Sequence, residues 1–372
     1  MTIIAGLMSG TSLDGVDGVL VQFDGNGTVE SLLAHSFIAF DASLRDALAR
    51  LQSPGDDELH RSALAANRLA EVYATLALAL IDAAGLDAGA VACIAAHGQT
   101  VRHRPELGYT LQLNNPALLA EKCGVAVVAD FRTRDVAAGG QGAPLVPAFH
   151  RSAFGRDGEV RLIVNLGGIA NVTLLDGRDD SAGTIGYDIG PANVLMDGWV
   201  EHHLGEPFDR NGAWASIGEI DFALLEQMLA DPFFALTGPR STGRDHFNRD
   251  WLEEQLLIAP VAAPEDVQRT LLALTVELIA REVESRDRID AVVLCGGGAY
   301  NHTLIEAFKE RVALCEQPPA VLTSQSLGIA AEHVEAMAFA WLGWARLAAQ
   351  AGNLPAVTGA AGPRVLGSLT PR

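Results

Sequence analysis

The sequence predicts an α/β protein built from two related domains, and three observations support this fold class. The chain has 372 residues, which is too long for one ordinary hydrophobic core. Nearly half of the residues are hydrophobic and 38 are glycine, a composition typical of compact α/β proteins. Two similar segments, each an apolar strand, a glycine-rich turn and a second apolar strand, lie far apart in the chain.

The first of these segments centres on the stretch from Gly6 to Gly18. It lies between the apolar residues 3–5 and a run from Val16 to Phe23, which predicts a strand, a turn and a strand. Glycines let backbone N–H groups approach an anion, and hydroxyl groups in the turn add donors. The turn therefore predicts a phosphate site, with Asp14 and Asp17 near a phosphate-bound cation. A glycine-rich hairpin without a ligand is the alternative.

The elements that follow are predicted as a β-meander, two helices and a buried strand. Asp24-Gly25-Asn26-Gly27 favours a hairpin turn, and residues 28–40 continue as a strand. Leucines at helical spacing predict one helix that ends before Pro54 and another over residues 59–84. Residues 91–96 are predicted as a buried strand because the run is short and apolar.

A polar segment, His97 to Arg104, follows that strand and is predicted as a loop. Ligands of α/β sheets bind at such strand ends. A single histidine would more often be a surface or capping residue, and the polar cluster is what favours binding here. Arg102, Arg132 and Arg134 lie near predicted strand ends, and a guanidinium can hold an anionic substrate by pairing bidentately with its carboxylate. A set of surface ion pairs is the alternative.

The second segment runs from Arg161 to Gly177 and repeats the design of the first, with its turn at Gly167-Gly168. Two such hairpins suggest two related domains that face each other across one nucleotide. Downstream, Pro191 suits position N1 of a helix, so Asp188 is expected just ahead of a helix N-terminus, ionised and facing the cleft. Helix capping is the alternative role for this carboxylate.

Three consecutive glycines, Gly296, Gly297 and Gly298, follow a predicted strand over residues 289–295. The third glycine of a dinucleotide-binding fingerprint is missing, so we expect a glycine floor under a nucleotide base or ribose. The last predicted helix, residues 334–349, carries Glu335 near its start, and the tail from residue 352 is predicted as irregular structure.

Charge and rare residues exclude several function classes. A net charge of −20 argues against nucleic-acid binding, which needs a concentrated basic face. Lys122 and Lys309 are the only lysines; the first precedes Cys-Gly and the second lies in a helix-like run, which argues against a P-loop and against a protein-kinase fold with its strand lysine. The four cysteines form no CxxC pair, and neither a signal peptide nor a membrane-spanning run of about 18 residues is expected. We expect a cytoplasmic protein.

These stretches together resemble the anhydro-N-acetylmuramic acid kinases, and the likeness covers essentially the whole chain. One departure lies at residues 329–332, where the family more often has an Asp-containing turn. The motifs that carry the resemblance are Gly6-Leu7-Met8-Ser9-Gly10-Thr11-Ser12-Leu13-Asp14-Gly15, His97-Gly98-Gln99-Thr100, Asp130-Phe131-Arg132, Gly139-Gly140-Gln141-Gly142-Ala143-Pro144-Leu145, Asn165-Leu166-Gly167-Gly168-Ile169-Ala170-Asn171, Asp188-Ile189-Gly190-Pro191, Ser241-Thr242-Gly243-Arg244, Gly296-Gly297-Gly298-Ala299 and Glu335-Ala336-Met337-Ala338-Phe339-Ala340-Trp341.

The resemblance implies a two-domain actin-like ATPase fold, a duplicated ribonuclease H-like arrangement with the nucleotide and the sugar in a cleft between the domains. The expected domains are residues 1–128 and 129–332, with the C-terminal part, about 333–372, packing back near the first. It also implies a homodimer that acts in peptidoglycan recycling, with ATP and Mg²⁺ as cofactors. The family reaction opens the 1,6-anhydro bridge of the sugar with water while ATP phosphorylates O6.

The resemblance also implies roles for particular residues. Asp188 matches the general base, and Glu335 matches an acidic residue of the sugar site. The implied ATP-binding residues are Ser9, Gly10, Thr11, Ser12, Leu13, Asp14, Gly15, Val16, Asp17, Gly167, Gly168, Gly296, Gly297 and Gly298, and the expected substrate-binding residues are His97, Gln99, Thr100 and Arg132.

Two other functions stay open at the level of the sequence. One is a plain sugar or carboxylate kinase that phosphorylates a free hydroxyl. The other is a non-catalytic ATP switch of the actin or chaperone type. The cluster of Arg, His and Gln side chains suits a small anionic sugar, and no long partner-binding domain follows the nucleotide part, which argues against the switch.

Overall fold

The computed structural model describes residues 1–10, 12–178, 184–236, 238, 240–258 and 263–372, with the side chain of Ile258 left out. These residues form two units. Unit 1 comprises Met1–Ala153 with His333–Arg372, and unit 2 comprises Phe154–Glu332. The first boundary thus differs from the one expected after residue 128. The Gly-rich loop after residue 138 stays with unit 1 because it bonds to the C-terminal tail, where Gln141 N donates to Thr358 O at 2.7 Å.

The strands are β1 (Thr2–Met8), β2 (Gly15–Phe23), β3 (Val29–Ala39), β4 (Val91–Ala96), β5 (Gln99–Arg104), β6 (Tyr109–Leu113), β7 (Val127–Ala129), β8 (Val160–Leu166), β9 (Ile169–Asp176), β10 (Ile185–Pro191), β11 (Ala291–Cys295), β12 (Ala320–Thr323) and β13 (Ser368–Thr370). The helices are α1 (Ala42–Arg50), α2 (Glu58–Ala83), α3 (Pro116–Cys123), α4 (Thr133–Ala137), α5 (Val146–Phe154), α6 (Asn193–Leu204), α7 (Phe222–Leu229), α8 (Arg249–Ile258), α9 (Pro264–Glu284), α10 (His302–Val312), α11 (Val334–Leu347) and α12 (Pro355–Thr358).

The main sheet of unit 1 has the strand order β13-β7-β4-β1-β2-β3. Strands β1, β2 and β3 pair antiparallel, which confirms the predicted meander, and β4 and β7 extend the sheet in parallel. Helices α2 and α11 cover opposite faces of this sheet. A Cβ at Gly6 would lie 2.2 Å from Ala336 O of α11, and one at Gly18 would lie 2.8 Å from the Leu76 side chain of α2. Glycine at these two positions lets the helices approach the sheet closely.

Helix α2 is the core helix of unit 1. Its Leu69, Tyr73, Leu76 and Leu80 side chains are fully buried. Among the described residues it is long and apolar enough to cross a membrane by length and composition, although no membrane-spanning run was predicted from the sequence. In the structure, 56% of the apolar window is buried against the rest of the protein, which is the pattern of a core helix.

Unit 2 repeats the topology of unit 1. Its sheet has the order β10-β9-β8-β11-β12. Strands β8, β9 and β10 pair antiparallel, β11 lies parallel to β8, and β12 lies parallel to β11. Strands β8 to β12 thus correspond in order and direction to β1, β2, β3, β4 and β7. The predicted α/β class and the duplicated ribonuclease H-like arrangement are confirmed.

Several local predictions are wrong. Residues 99–104 form a strand, because they pair with β6 in a two-stranded ribbon, and are not a loop. The tail beyond residue 352 contains α12 and β13. Pro191 ends strand β10, and α6 begins only at Asn193. The N–H groups of Ala192 and Asn193 bond to carbonyls of the Gly167-Gly168 turn, which holds this junction in place.

Candidate active site

Two hydrogen bonds to the Gly10 carbonyl hold the described residues of the loop between β1 and β2 in unit 1. Leu13 N donates to Gly10 O at 3.3 Å, and Leu13 takes a left-handed backbone with φ of 59°. The Gln99 side chain donates to the same Gly10 carbonyl at 3.0 Å, which ties the loop to the start of β5. Of the predicted phosphate-site residues, Gly15, Val16 and Asp17 belong to β2, and Thr11 lies outside the described residues.

The Ser9 hydroxyl is used inside the fold. It is buried and lies 2.9 Å from the Tyr73 hydroxyl and 3.2 Å from the Gly98 carbonyl oxygen. Because the carbonyl can only accept, Ser9 donates to Gly98 and Tyr73 donates to Ser9. In this structure the Ser9 hydroxyl is therefore engaged by the protein, and the binding of ATP by Ser9 stays a prediction. Ser12 and Asp14 have exposed side chains.

His97 and Arg132 form the centre of the predicted substrate region, also in unit 1. Arg132 Nε donates to His97 Nε2 at 3.0 Å, and His97 Nδ1 lies 3.3 Å from Ser9 O. A guanidinium cannot accept, so the hydrogen bonds require a neutral imidazole that carries its proton on Nδ1. Burial and the Arg132 charge hold the pKa of His97 well below 6.5, which agrees with that state. His97 also packs against Phe339 at 4.5 Å between ring centroids.

The Arg132 guanidinium uses only some of its N–H groups in hydrogen bonds to the protein. Its Nη1 donates to Gly142 O at 2.8 Å, so its two contacts occupy two of the five N–H groups of a guanidinium. Burial lowers the pKa of Arg132 to about 10, and Glu335 and Asp135 act against this shift. The side chain remains charged at neutral pH. This geometry leaves Arg132 able to bind an anion through its remaining N–H groups.

Glu335 lies in the first turn of α11, near the Arg132 charge. Its side chain is exposed to solvent, yet enough protein surrounds the carboxyl to raise its pKa, an effect that the Arg132 charge partly offsets. The structure therefore brings together Arg132, Glu335 and His97 from three distant parts of the sequence. Arg132 and Glu335 carry opposite charges and perturbed pKa values, and the neutral His97 holds the guanidinium, so this group is a candidate for substrate binding.

The other predicted substrate residues, and two neighbouring arginines, make contacts within the protein. Gln99 is fully buried, and its side chain supports the β1–β2 loop. Thr100 accepts a hydrogen bond from the Gln112 side chain at 3.2 Å. Arg102 pairs with Glu58 at 2.6 Å, and Arg134 donates to Val365 O at 3.1 Å. For Arg102 the ion-pair alternative therefore applies, and Arg134 holds the C-terminal tail.

The β8–β9 hairpin of unit 2 is packed against the glycines after β11. A Cβ at Gly296 would lie 2.3 Å from the Asn165 Oδ1 atom, and one at Gly298 would lie 2.7 Å from the Leu166 Cβ atom. Gly296 also has a φ of 78°, in the left-handed region that favours glycine. Gly297 is exposed with no atom near its Cβ position. Gly296 and Gly298 are thus required by packing, and Gly297 faces open space.

Asp188 lies in the middle of β10, opposite Asn171. The helix that was predicted to begin at Pro191 begins at Asn193, so Asp188 precedes it by five residues and belongs to a strand. The register shifts between Asp188 and Gly190, a β-bulge that redirects the strand at this point. Its Oδ2 atom accepts hydrogen bonds from Ser241 Oγ and from Thr242 N, both at 3.0 Å. Partial burial raises the pKa of Asp188, and these two bonds act in the opposite direction. A half-buried carboxylate with a raised pKa is a candidate general base.

The comparison with known proteins decides the family. Residues 2–372 match the anhydro-N-acetylmuramic acid kinases. The chain belongs to this family. An anhydro-N-acetylmuramic acid kinase of Burkholderia orbicola strain MC0-3 is 52% identical over 368 residues, which cover 99% of this chain and 96% of that protein. One of Paraburkholderia xenovorans strain LB400 is 52% identical over 374 residues, covering 99% and 97%.

The similarity to solved structures of other families is distant. The activator of the 2-hydroxyisocaproyl-CoA dehydratase from Clostridium difficile with bound ADPNP is similar over 91% of this chain and 93% of its own chain, with a TM-score of 0.46 and 12% sequence identity. The family assignment rests on the match of residues 2–372 to the kinase family and on the 52% identity with one of its members. Membership of this family makes the chain a phosphotransferase.

The structure adds two candidate residues, Asp197 and Arg244, that the sequence did not assign to the site. Burial raises the pKa of Asp197, on α6, to about 6, with Arg244 lowering and Asp209 raising it. Arg244 is exposed, and its Nη2 atom lies 3.8 Å from the Cβ position of Gly168, beside the β8–β9 hairpin. Arg244 belongs to the Ser-Thr-Gly-Arg motif, which was the available signal. No sequence motif marked Asp197, because the charged residues near it, Arg244 and Asp209, lie elsewhere in the chain.

The described residues contain no group of three or more His, Cys, Asp or Glu side chains that could hold a metal ion by themselves. A metal that accompanies ATP in a kinase needs fewer protein ligands, since Mg²⁺ keeps several waters and binds one or two carboxylates plus the phosphates. The exposed Asp14 carboxylate beside the β1–β2 loop fits this donor chemistry, as does the carboxylate of Asp17 on β2.

Proposed function

We propose that this protein uses ATP and water to convert 1,6-anhydro-N-acetylmuramic acid into N-acetylmuramic acid 6-phosphate and ADP, in the recycling of cell-wall peptidoglycan. Water attacks the anomeric carbon, and the bond from that carbon to O6 breaks. O6 takes the γ-phosphoryl group of ATP, and the water proton passes to a protein base. The observation that carries the proposal is the position of Asp188 beside the bulge of strand β10, where Ser241 and Thr242 donate hydrogen bonds to its carboxylate.

Asp188 is assigned as the general base. Both protein donors meet its Oδ2 atom, so we assign proton abstraction to Oδ1. Burial raises the pKa of this carboxyl, which makes its conjugate base a stronger proton acceptor than an exposed aspartate. General-base catalysis is worth about 10²- to 10⁴-fold in rate.

The sugar is assigned to residues of unit 1. Arg132 pairs with the lactyl carboxylate through the N–H groups that His97 and Gly142 do not use. Glu335 contacts the sugar or places the attacking water. Thr100 contributes a hydroxyl, whereas His97 and Gln99 act from inside the fold by holding Arg132 and the β1–β2 loop.

ATP is assigned to the β1–β2 loop, the Gly167-Gly168 hairpin and the glycines after β11. Backbone N–H groups of the two turns bind phosphate oxygens, and Gly297 is the glycine that leaves room for the nucleoside. Asp14 and Asp17 would hold Mg²⁺, which would neutralise charge on the phosphates. We also propose that the enzyme is a cytoplasmic homodimer, on the strength of the family resemblance.

Turnover of ATP with and without the anhydro sugar tests the reaction. We expect turnover only with the sugar, and in ¹⁸O-labelled water the label appears on the anomeric oxygen and is absent from the phosphate. Asp188→Asn keeps the shape of the side chain and removes the base, so kcat falls at least about 10²-fold while calorimetry shows nearly unchanged binding of ATP and sugar. We expect Glu335→Gln to lower kcat less than Asp188→Asn does.

Each alternative function has its own signature in this experiment. A plain sugar kinase would phosphorylate a sugar with a free hydroxyl and introduce no solvent label. An ATP switch would hydrolyse ATP without regard to the sugar. Label in the phosphate, or near-normal turnover by Asp188→Asn, would overturn the mechanism.

A further inference from the structure

We propose that Arg240 is a positioning residue for Asp188, because it fixes the segment that donates both hydrogen bonds to the carboxylate. This inference rests on the proposed function, in which Asp188 is the general base. It concerns residues of unit 2 alone. Arg240 directly precedes Ser241 and Thr242, the two donors to Asp188 Oδ2.

Arg240 is joined to Asp188 through the main chain and the side chain together. Asp188 N donates to Arg240 O at 3.0 Å, and Arg240 Nε donates to Asp188 O at 3.1 Å. This reciprocal pair places the segment that follows Arg240 against β10. The position of the Ser241 hydroxyl and the Thr242 N–H group relative to the carboxylate therefore depends on Arg240.

A buried ion pair holds the guanidinium itself. Arg240 Nη2 lies 3.0 Å from Glu282 Oε1, and the two side chains are only 11% and 10% exposed. The Tyr187 hydroxyl donates to Glu282 Oε2 at 2.6 Å, and the Tyr187 and Phe233 rings each lie 5.4 Å from the guanidinium carbon. A buried pair of this kind adds little net stability, and here it holds the guanidinium beside the Asp188 carbonyl. The orientation of the guanidinium determines whether Arg240 Nε can donate to the Asp188 carbonyl.

Among the described residues, strand β9 places the uncharged Asn171 opposite Asp188, and the donor segment contributes Arg240. Glu282 of α9 lies behind Arg240, with which it forms an ion pair. His246 lies one contact further away, with its Nδ1 atom 3.4 Å from the Thr242 hydroxyl. Burial raises the pKa of Asp188, while the Thr242 and Ser241 bonds lower it. Loosening these bonds must therefore raise the pKa of Asp188 further.

The test is the pH profile of kcat for Arg240→Lys with ATP and the anhydro sugar. Lysine keeps the positive charge for Glu282, but its single nitrogen cannot serve Glu282 and the Asp188 carbonyl in the geometry of a guanidinium. We expect kcat to fall about 10- to 100-fold, with both KM values within about twofold of wild type. The acidic limb of the profile moves to higher pH, because Asp188 must be ionised to act.

Arg286→Lys is the matched control. Arg286 belongs to the same cluster, since its Nη2 atom donates to the Tyr187 hydroxyl at 2.6 Å and lies 3.7 Å from Glu282. The described contacts of Arg286 do not include Asp188, so this variant changes the ion-pair cluster and leaves the acidic limb in place. Ser241→Ala keeps the whole cluster and removes one donor, and its acidic limb moves in the same direction as that of Arg240→Lys.

Two results would overturn the inference. One is an unshifted acidic limb in Arg240→Lys, or in Ser241→Ala if the first variant does not fold. The other is an equal shift in Arg286→Lys. Asp188→Asn, measured alongside, separates this inference from the proposed function. If Asp188→Asn stays active, the proposed base is wrong. If it is inactive and Arg240→Lys keeps the wild-type limb, the inference about Arg240 alone fails.

Discussion

Arg132 Nε donates to His97 Nε2 at 3.0 Å, and the opposite ring nitrogen of His97 faces the Ser9 carbonyl oxygen at 3.3 Å. One neutral imidazole therefore connects the β1–β2 loop with the guanidinium that we assign to the substrate carboxylate. The loop is assigned to ATP phosphates, so the histidine links the two proposed binding functions of unit 1.

We predict that Asn and Gln at position 97 separate these two functions. The Asn amide nitrogen can replace Nδ1 as the donor to Ser9, whereas the Gln carbonyl oxygen can replace Nε2 as the acceptor from Arg132. His97→Asn should therefore raise mainly the sugar KM, and His97→Gln mainly the ATP KM. A hydrogen bond to a charged group is worth about 1.5–3 kcal/mol, which corresponds to about a 10- to 100-fold change for Arg132. Steady-state kinetics with each substrate varied in turn measures both constants, and identical effects in the two variants would contradict the division.

Removing Arg132 should abolish the preference for a sugar that carries a lactyl carboxylate. Arg132→Ala is expected to raise KM for 1,6-anhydro-N-acetylmuramic acid about 10- to 100-fold, because a charge-assisted pair is lost. An anhydro sugar without the lactyl group should be affected far less. The ratio of the two kcat/KM values is the measurement.

Arg134→Ala is the control for that experiment. It removes a neighbouring guanidinium whose described contact is the Val365 carbonyl in the tail, so the substrate preference should stay as in wild type. Equal losses on both sugars in Arg132→Ala would show that Arg132 is structural.

A bulky residue at Gly10 should weaken ATP binding without unfolding the protein. Of the atoms in the described part of the chain, a Cβ at this position would meet only Ser12 Oγ, at 3.7 Å, which is ordinary contact, and the backbone of Gly10 is not left-handed. In Gly10→Val the side chain would exclude phosphates from the turn, so calorimetry should show a Kd for ATP at least about tenfold higher. Gly25→Val, in the exposed β2–β3 turn with no atom near its Cβ, is the matched control. Unaltered ATP affinity in a folded Gly10→Val protein would refute the assignment of this loop.

Much of the fold could be predicted from local patterns. The β1–β2 and β8–β9 hairpins each combine apolar strands with a glycine turn, and such a pattern acts within a few residues of itself. Their similarity also predicted the duplication that the two sheets confirm. The first domain boundary could not be predicted in this way. It depends on contacts of the loop around Gln141 with a tail more than half the chain away.

The environment of Asp188 shows the same limit at the candidate site. Pro191 favoured a helix start, but pairing of β10 with β9 determined the local structure, since tertiary context overrides a single residue's preference. The donors to the carboxylate come from Ser241 and Thr242, and the ion pair behind them from Glu282. None of these contacts can be predicted from the residues that are near Asp188 in the sequence.

The sequence by itself determined the fold class, the two hairpins, the family and the identity of the candidate residues, because these depend on residue types and short spacings. The tertiary structure decided how each residue is used. It turned the Ser9 hydroxyl inward to Gly98 and Tyr73, paired Arg102 with Glu58, and left N–H groups of Arg132 for a ligand. The physical reason is that a hydrogen-bonding group acts on a ligand only through the capacity that the fold has not used, and the partners that use it lie far away in the chain.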